Sequence, residues 1–129
     1  NKSKKTEGLK SSIINISSFA SQGQYYNFIL YNSVKGFNNN HSKLLSYELS
    51  EYDIDVMSVK PLWVDTPLIK RKKSILKITT KQLSGAVLRQ LGYEYETFGY
   101  IIHELYAYLV LSIPGFILRK VMKFNPDWS

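Results

Sequence analysis

The chain has 129 residues, room for one modest domain. Its 44% hydrophobic content belongs to a globular protein, and the lack of cysteine excludes disulfides, thiolate nucleophiles and cysteine-ligated metals. A net charge of +7 points to an anionic partner: nucleic acid, anionic lipid or a phosphate-bearing small molecule.

Residues 1–10 read as a helix end or a solvated basic loop, with Gly8 as a stop signal. Residues 13–17 are β-branched and apolar, the pattern of a buried parallel strand. Asn15 and Ser17 match a glycosylation sequon there, but a buried strand cannot present a glycan. Residues 19–30 form a polar and aromatic loop. In it, Gln24, Tyr25, Tyr26 and Phe28 either line a substrate mouth or cover the core, the second being favoured for most of them.

Residues 31–51 read as a long helix. Val34, Phe37, His41, Leu44, Leu45 and Leu49 recur at helical spacing and predict one apolar stripe for packing. Asn38, Asn39 and Asn40 are poor helix formers, which packing is expected to override. His41 lies on the edge of the stripe without ligand-spaced partners, so a packed or interface role is expected and no metal site. Residues 54–60 alternate as the next parallel strand, ended by Pro61.

Residues 67–78 form a flap with the basic run Lys70–Lys73. Such a run is usually a solvated face; the sharper reading is attraction of an acyl-CoA phosphate or an anionic membrane. Thr79 to Leu91 reads as a helix capped by Thr79 or Thr80 and stopped by Gly92, with Leu83, Val87 and Leu91 as its apolar face. Residues 98–103 read as a last short strand. Leu105 to Leu118 is apolar but for Ser112, is interrupted by Pro114, and falls short of the roughly 20 residues of a bilayer span. Tyr100, Tyr106 and Tyr108, with Arg119, Lys120 and Lys123 beyond, suggest that residues 104–123 form a helix lying at a membrane interface. A helix covering the sheet edge is the equal alternative.

Three residues bear chemistry together: Ser18, Tyr31 and Lys35. Tyr31 and Lys35 stand four apart, so in a helix they leave one face a turn apart. A free phenol, with a pKa of about 10, exchanges its proton poorly at neutral pH. An ammonium close by favours the phenolate, which makes a phenol a usable general acid and base. A serine at the end of the preceding strand can hold the oxygen of a reacting carbonyl. None of the three moves a hydride, so a nicotinamide must do so. The tyrosine–lysine spacing alone is a weak signal.

Its surroundings strengthen it. Ile13-Ile-Asn-Ile-Ser-Ser18, Tyr31-Asn-Ser-Val-Lys35 and Val59-Lys-Pro-Leu-Trp-Val-Asp-Thr66 resemble, in order and spacing, the second half of a short-chain dehydrogenase/reductase. Gly99-Tyr-Ile-Ile-His103, followed by the apolar stretch and Pro114, resembles the branch of very-long-chain 3-oxoacyl-CoA reductases and 17-beta-hydroxysteroid dehydrogenases. The likeness runs through nearly the whole chain after about Gly8.

The resemblance implies an α/β fold, the C-terminal half of a doubly wound Rossmann-type parallel sheet with flanking helices. It implies a carbonyl reductase or alcohol dehydrogenase using NADP(H), with NAD(H) the other choice. Tyr31 would protonate the forming alkoxide, Lys35 would hold the nicotinamide ribose and tune the phenol, and Ser18 would orient the carbonyl. Pro61, Val64 and Thr66 would wrap the nicotinamide, with Trp63 toward the substrate. Leu62 departs from the glycine frequent after that proline. The substrate would be a long-chain 3-oxoacyl-CoA, as in fatty-acid elongation, with a steroid ketone second. It would be met in an oligomer associated with the endoplasmic reticulum membrane, or otherwise in the cytoplasm. The positive charge then serves these polyanions and not nucleic acid.

The seven glycines are scattered singly and form no G-x-G-x-x-G phosphate turn. The expectation is therefore that residues 1–129 are a partial domain, a C-terminal fragment without the N-terminal dinucleotide-binding half. The competing reading is a non-catalytic remnant acting as an interaction or membrane-surface module. In either case the first strand is expected at an open sheet edge, ready to pair.

Overall fold

A computed structural model describes residues 10–23, 28–67 and 74–124. The elements in chain order are β1 (Ser11–Ile16), a single 3-10 turn (Phe19–Ser21), α1 (Ile29–Ser50), β2 (Ile54–Val59), β3 (Trp63–Asp65), β4 (Lys77–Thr79), α2 (Thr80–Gln90), β5 (Glu96–Thr97), α3 (Ile101–Leu111) and α4 (Gly115–Phe124). Gln24, Tyr25 and Tyr26 of the aromatic loop and the basic run at 70–73 lie outside the described residues.

The expected α/β architecture is present. β1, β2 and β5 form a parallel sheet in the order β1-β2-β5, with Ser11 opposite Ile54 and Ile16 opposite Val59. β3 and β4 make a separate two-stranded parallel ladder at the sheet's carboxyl end, with Val64 opposite Ile78. Side chains of β2 alternate between two helical layers, as period-two geometry requires. Met57 and Val59 are fully buried with Val87, against Ile14, Leu83 and Leu91. Ser58 points the other way and donates its hydroxyl to Asn39 Oδ1 of α1 at 2.7 Å. The α2 start follows its sequence: Thr79 caps it, and Gln82 returns the contact to Thr79 N–H at 2.8 Å, a reciprocal box.

Three expectations need correction. The first is the stripe on α1. Val34 (63%), Phe37 (72%) and Leu44 (55%) are exposed, and His41 lies out there too, its ring stacked on Phe37. Only Leu45 and Leu49 of that set are half-buried. The sheet-facing row is polar: Lys35, Asn38, Ser42, then Leu45 and Leu49 one turn apart. Asn15 Nδ2 donates to Ser42 Oγ at 2.9 Å, and Ser42 donates to the Asn38 carbonyl at 2.7 Å. Hydrogen bonds to β1 and β2 thus select the face, and two interleaved rows were read as one. β1 itself is not the buried strand its apolar pattern predicts, since Ile13 and Ile16 are exposed at the sheet margin; Asn15 is half-buried, with its amide committed to Ser42.

The second correction concerns residues 98–103. The strand is Glu96–Thr97, and α3 begins at Ile101. Glu104 Oε1 accepts from Thr97 Oγ1 and from Phe98 N–H, both at 2.7 Å, and Thr97 Oγ1 accepts from Gly99 N–H at 2.9 Å. The carboxylate in the first helical turn gathers the donors before it and turns the chain.

The third concerns residues 104–123, which form two helices and not one. α3 and α4 meet at 108° around Ser112, Ile113 and Pro114. Proline lacks the N–H that would continue the ladder, and its carbonyl instead accepts from Ile117 N–H to open α4. Among the described residues, no single helix is long and apolar enough to cross a membrane.

Candidate functional site

The carboxyl ends of β1 and β2 continue their pairing beyond the strands. Ser17 N–H donates to the Val59 carbonyl at 2.7 Å, and Phe19 N–H donates to the Pro61 carbonyl at 3.1 Å. These bonds fix Ser18 at the rim of the sheet. Its Oγ caps the 3-10 turn by accepting from Ala20 N–H at 3.2 Å. A hydroxyl that accepts there keeps its own hydrogen to donate elsewhere.

Lys35 reaches back across the same rim. Its Nζ donates to the Ile16 carbonyl at 3.1 Å, and Asn38 Nδ2 shares that acceptor at 3.2 Å. Ser17, which is buried, donates its hydroxyl to the Lys35 carbonyl at 2.7 Å. Strand end and helix are therefore pinned twice, once through each end of Lys35. Tyr31 stands one turn earlier, its ring centroid 5.9 Å from Lys35 Nζ. It is 46% exposed and meets Phe28 edge-on at 6.4 Å. The structure thus joins Tyr31 and Lys35, and hangs Lys35 on a carbonyl two residues before Ser18.

The second group lies at the end of β2. Pro61 is buried; Trp63, Val64 and Thr66 are half-buried along and just after β3. The two groups are linked by the Phe19–Pro61 bond and by aromatic rings. Phe19 packs 5.8 Å from Tyr106, and Tyr106 lies 6.4 Å from Trp63. Aromatic rings at these separations give an apolar wall next to Ser18.

Sequence reasoning passed over Ser17 and His103. Ser17 adjoins the chosen serine, but only the fold reveals that the Lys35 carbonyl is its partner. His103 was noted as part of a likeness without a role. It is fully buried, accepting from Leu62 N–H and donating to the Leu76 carbonyl. Among the described residues, no group of three or more His, Cys, Asp or Glu could hold a metal.

The Lys35 ammonium and the Tyr31 phenol stand at the carboxyl end of β1, the side of a parallel sheet where ligands bind. No glycine-rich phosphate turn stands among these residues.

Residues 4–76 match the family model described as short chain dehydrogenase. The chain is 31% identical over 116 residues to a very-long-chain 3-oxoacyl-CoA reductase of Macaca fascicularis, covering 89% of this chain and 37% of that protein. It is 31% identical over 121 residues to the Homo sapiens protein of that name, covering 92% and 39%. The chain thus spans less than two-fifths of the length of these relatives. A Burkholderia cenocepacia short chain dehydrogenase, solved in complex with NADP, superposes with a TM-score of 0.71 at 19% identity, over 91% of this chain and 48% of that one. A 7beta-hydroxysteroid dehydrogenase superposes at 0.74 with 15% identity, over 87% and 47%. At such identities these two likenesses speak to the fold.

Proposed function

Because this chain belongs to the short-chain dehydrogenase family, we propose that it supplies the proton-transfer side of a nicotinamide-dependent carbonyl reductase, working on long-chain 3-oxoacyl-CoA. In this reading residues 1–129 are the carboxy-terminal part of the enzyme's domain. The relatives named for that substrate support the choice, and a steroid ketone is the second candidate. NADP(H) is the proposed cofactor, with NAD(H) the alternative. The bound nicotinamide supplies the hydride.

The residues of this chain do the rest. The Ser18 hydroxyl donates a hydrogen bond to the substrate carbonyl oxygen and fixes its position. The Tyr31 hydroxyl gives that oxygen a proton as negative charge develops on it. Lys35, held by the Ile16 carbonyl, keeps a positive charge beside the phenol and holds the ribose hydroxyls. Pro61, Val64 and Thr66 bracket the carboxamide, and Trp63 forms the substrate-side wall. The observation that carries the reading is the Lys35 ammonium, anchored on a strand-end carbonyl and 5.9 Å from the Tyr31 ring. The test is NADPH-dependent reduction of a long-chain 3-oxoacyl-CoA by the natural polypeptide that carries this sequence. Tyr31→Phe should lower kcat by about a thousandfold with little change in NADPH affinity. Full activity in that variant refutes the assignment.

The substrate class brings an endoplasmic reticulum membrane surface with it, and the apolar flank of residues 104–123 is proposed to face that surface. A second reading is a non-catalytic interaction module. It is favoured by the exposed outer row of α1, Val34, Phe37 and Leu44, a docking feature that chemistry does not need. Absence of any saturable NADPH fluorescence signal would select it.

A further inference from the structure

His103 stands in the first turn of α3 and is fully buried. Its ring joins two distant stretches of backbone. Nδ1 faces Leu62 N–H at 3.4 Å, and Nε2 lies 2.9 Å from the Leu76 carbonyl. A carbonyl only accepts, so the hydrogen sits on Nε2 and Nδ1 is left to accept; the partners assign the tautomer. Leu62 precedes β3 and Leu76 precedes β4. The same two stretches are tied again by the β3–β4 ladder and by Lys77 Nζ to Asp65 Oδ1 at 2.7 Å.

The position of Leu62 gives this contact its meaning. Pro61 has no N–H, so Leu62 carries the first backbone donor after Lys60 at the end of β2. A part-buried donor that faces a buried ring is costly to leave without a partner, and a leucine or phenylalanine in place of His103 would leave it so. An imidazole satisfies one donor and one acceptor from a single rigid ring. We propose that His103 is a positioning residue: it clasps the Pro61–Thr66 stretch at Leu62 and sets where that backbone meets the nicotinamide end of a dinucleotide. This rests on the nicotinamide reading of Pro61, Val64 and Thr66. The imidazole touches no reacting atom; it acts through the loop it holds.

Two substitutions separate its ends. An asparagine side chain reaches as far as Nδ1 and can accept from Leu62, but stops short of Leu76. A glutamine reaches as far as Nε2 and can donate to Leu76, but offers nothing at Nδ1. The experiment uses the natural polypeptide that carries this sequence, with steady-state kinetics and amide hydrogen exchange read together. His103→Gln should raise KM for NADPH about tenfold while kcat stays within about twofold, because one hydrogen bond to the loop is lost. Exchange at Leu62 should quicken in the same variant. His103→Asn should keep KM near the wild-type value while exchange at Leu76 and Lys77 quickens. A merely structural histidine predicts equal effects in both variants, and that result, or an unchanged KM in both, overturns the proposal. A wild-type protein that binds no dinucleotide overturns the nicotinamide reading and this inference with it. If both variants fail to fold, Asp65→Asn loosens the same base from its solvent side. KM for NADPH should then rise with kcat little changed, and an unchanged KM overturns the proposal.

Discussion

Gly99 stands between β5 and α3 at φ +89°, a conformation that L side chains rarely adopt. A Cβ there would run into Leu83 Cδ1 and lie 3.5 Å from Val59 and Val87, so α2 and the sheet close over the bare backbone. Gly99→Ala should cost about 2–4 kcal/mol, strain and overpacking together, read as a fall in the urea midpoint. Gly115 has open space around it at the start of α4, and Gly115→Ala should leave the midpoint within about 0.5 kcal/mol or raise it slightly. Equal losses in the two variants would mean that the close approach at Gly99 does not set the cost. Residue chemistry was legible in the sequence where it depended on spacing along one element. Tyr31 and Lys35 lie a helical turn apart, and they meet as spacing requires. Ser17 and His103 were not legible, because each serves a backbone group that only the tertiary fold delivers.

At the scale of elements, α1 separates what periodicity can and cannot tell. The helix is there, from Ile29 to Ser50, and the three asparagines do not break it. The sequence carries two interleaved rows, and periodicity alone does not tell which of them faces the sheet. The polar row won because the β1 and β2 residues opposite it are Asn15 and Ser58, which need partners. Ser42 is the centre of that row and fully buried. Ser42→Ala would leave the Asn15 amide short of its acceptor and should destabilise by about 1–3 kcal/mol. Phe37→Glu, on the exposed row, should change the stability of the monomer by no more than about 0.5 kcal/mol. Denaturant unfolding of both variants measures the contrast, and a larger loss at Phe37 than at Ser42 would contradict the assigned faces. The same logic explains the short β5. The turn after it is built by the Glu104 carboxylate from within α3, a contact that no local strand pattern encodes.

On the scale of the whole molecule, two apolar faces are exposed among the described residues, and they differ in charge. The outer row of α1 is Val34, Phe37, His41 and Leu44, with β1 on the margin of the sheet beside β2. The other face belongs to α3 and α4. Its inner side is taken, with His103 and Ala107 buried and Tyr106 against Phe19 and Trp63. Its outer side shows Leu105, Tyr108, Leu109, Phe116 and Val121. Between Ile101 and Leu118 the one charged residue is Glu104, whose Oε1 is committed to Thr97 and Phe98; Arg119 and Lys120 follow, exposed. For this apolar elbow, bent by 108° and bordered by cations, the occupant to test is the surface of an anionic bilayer. For the outer row of α1, the occupant to test is a second copy of the chain. Two double variants of the natural polypeptide should therefore part company. Phe37→Glu with Leu44→Glu should lower the mass measured by light scattering and leave flotation with phosphatidylserine vesicles unchanged. Leu109→Glu with Phe116→Glu should abolish flotation and leave the mass unchanged. Were either pair to alter both readouts equally, the two faces would form one continuous surface, and the division of labour argued from their charge would be wrong.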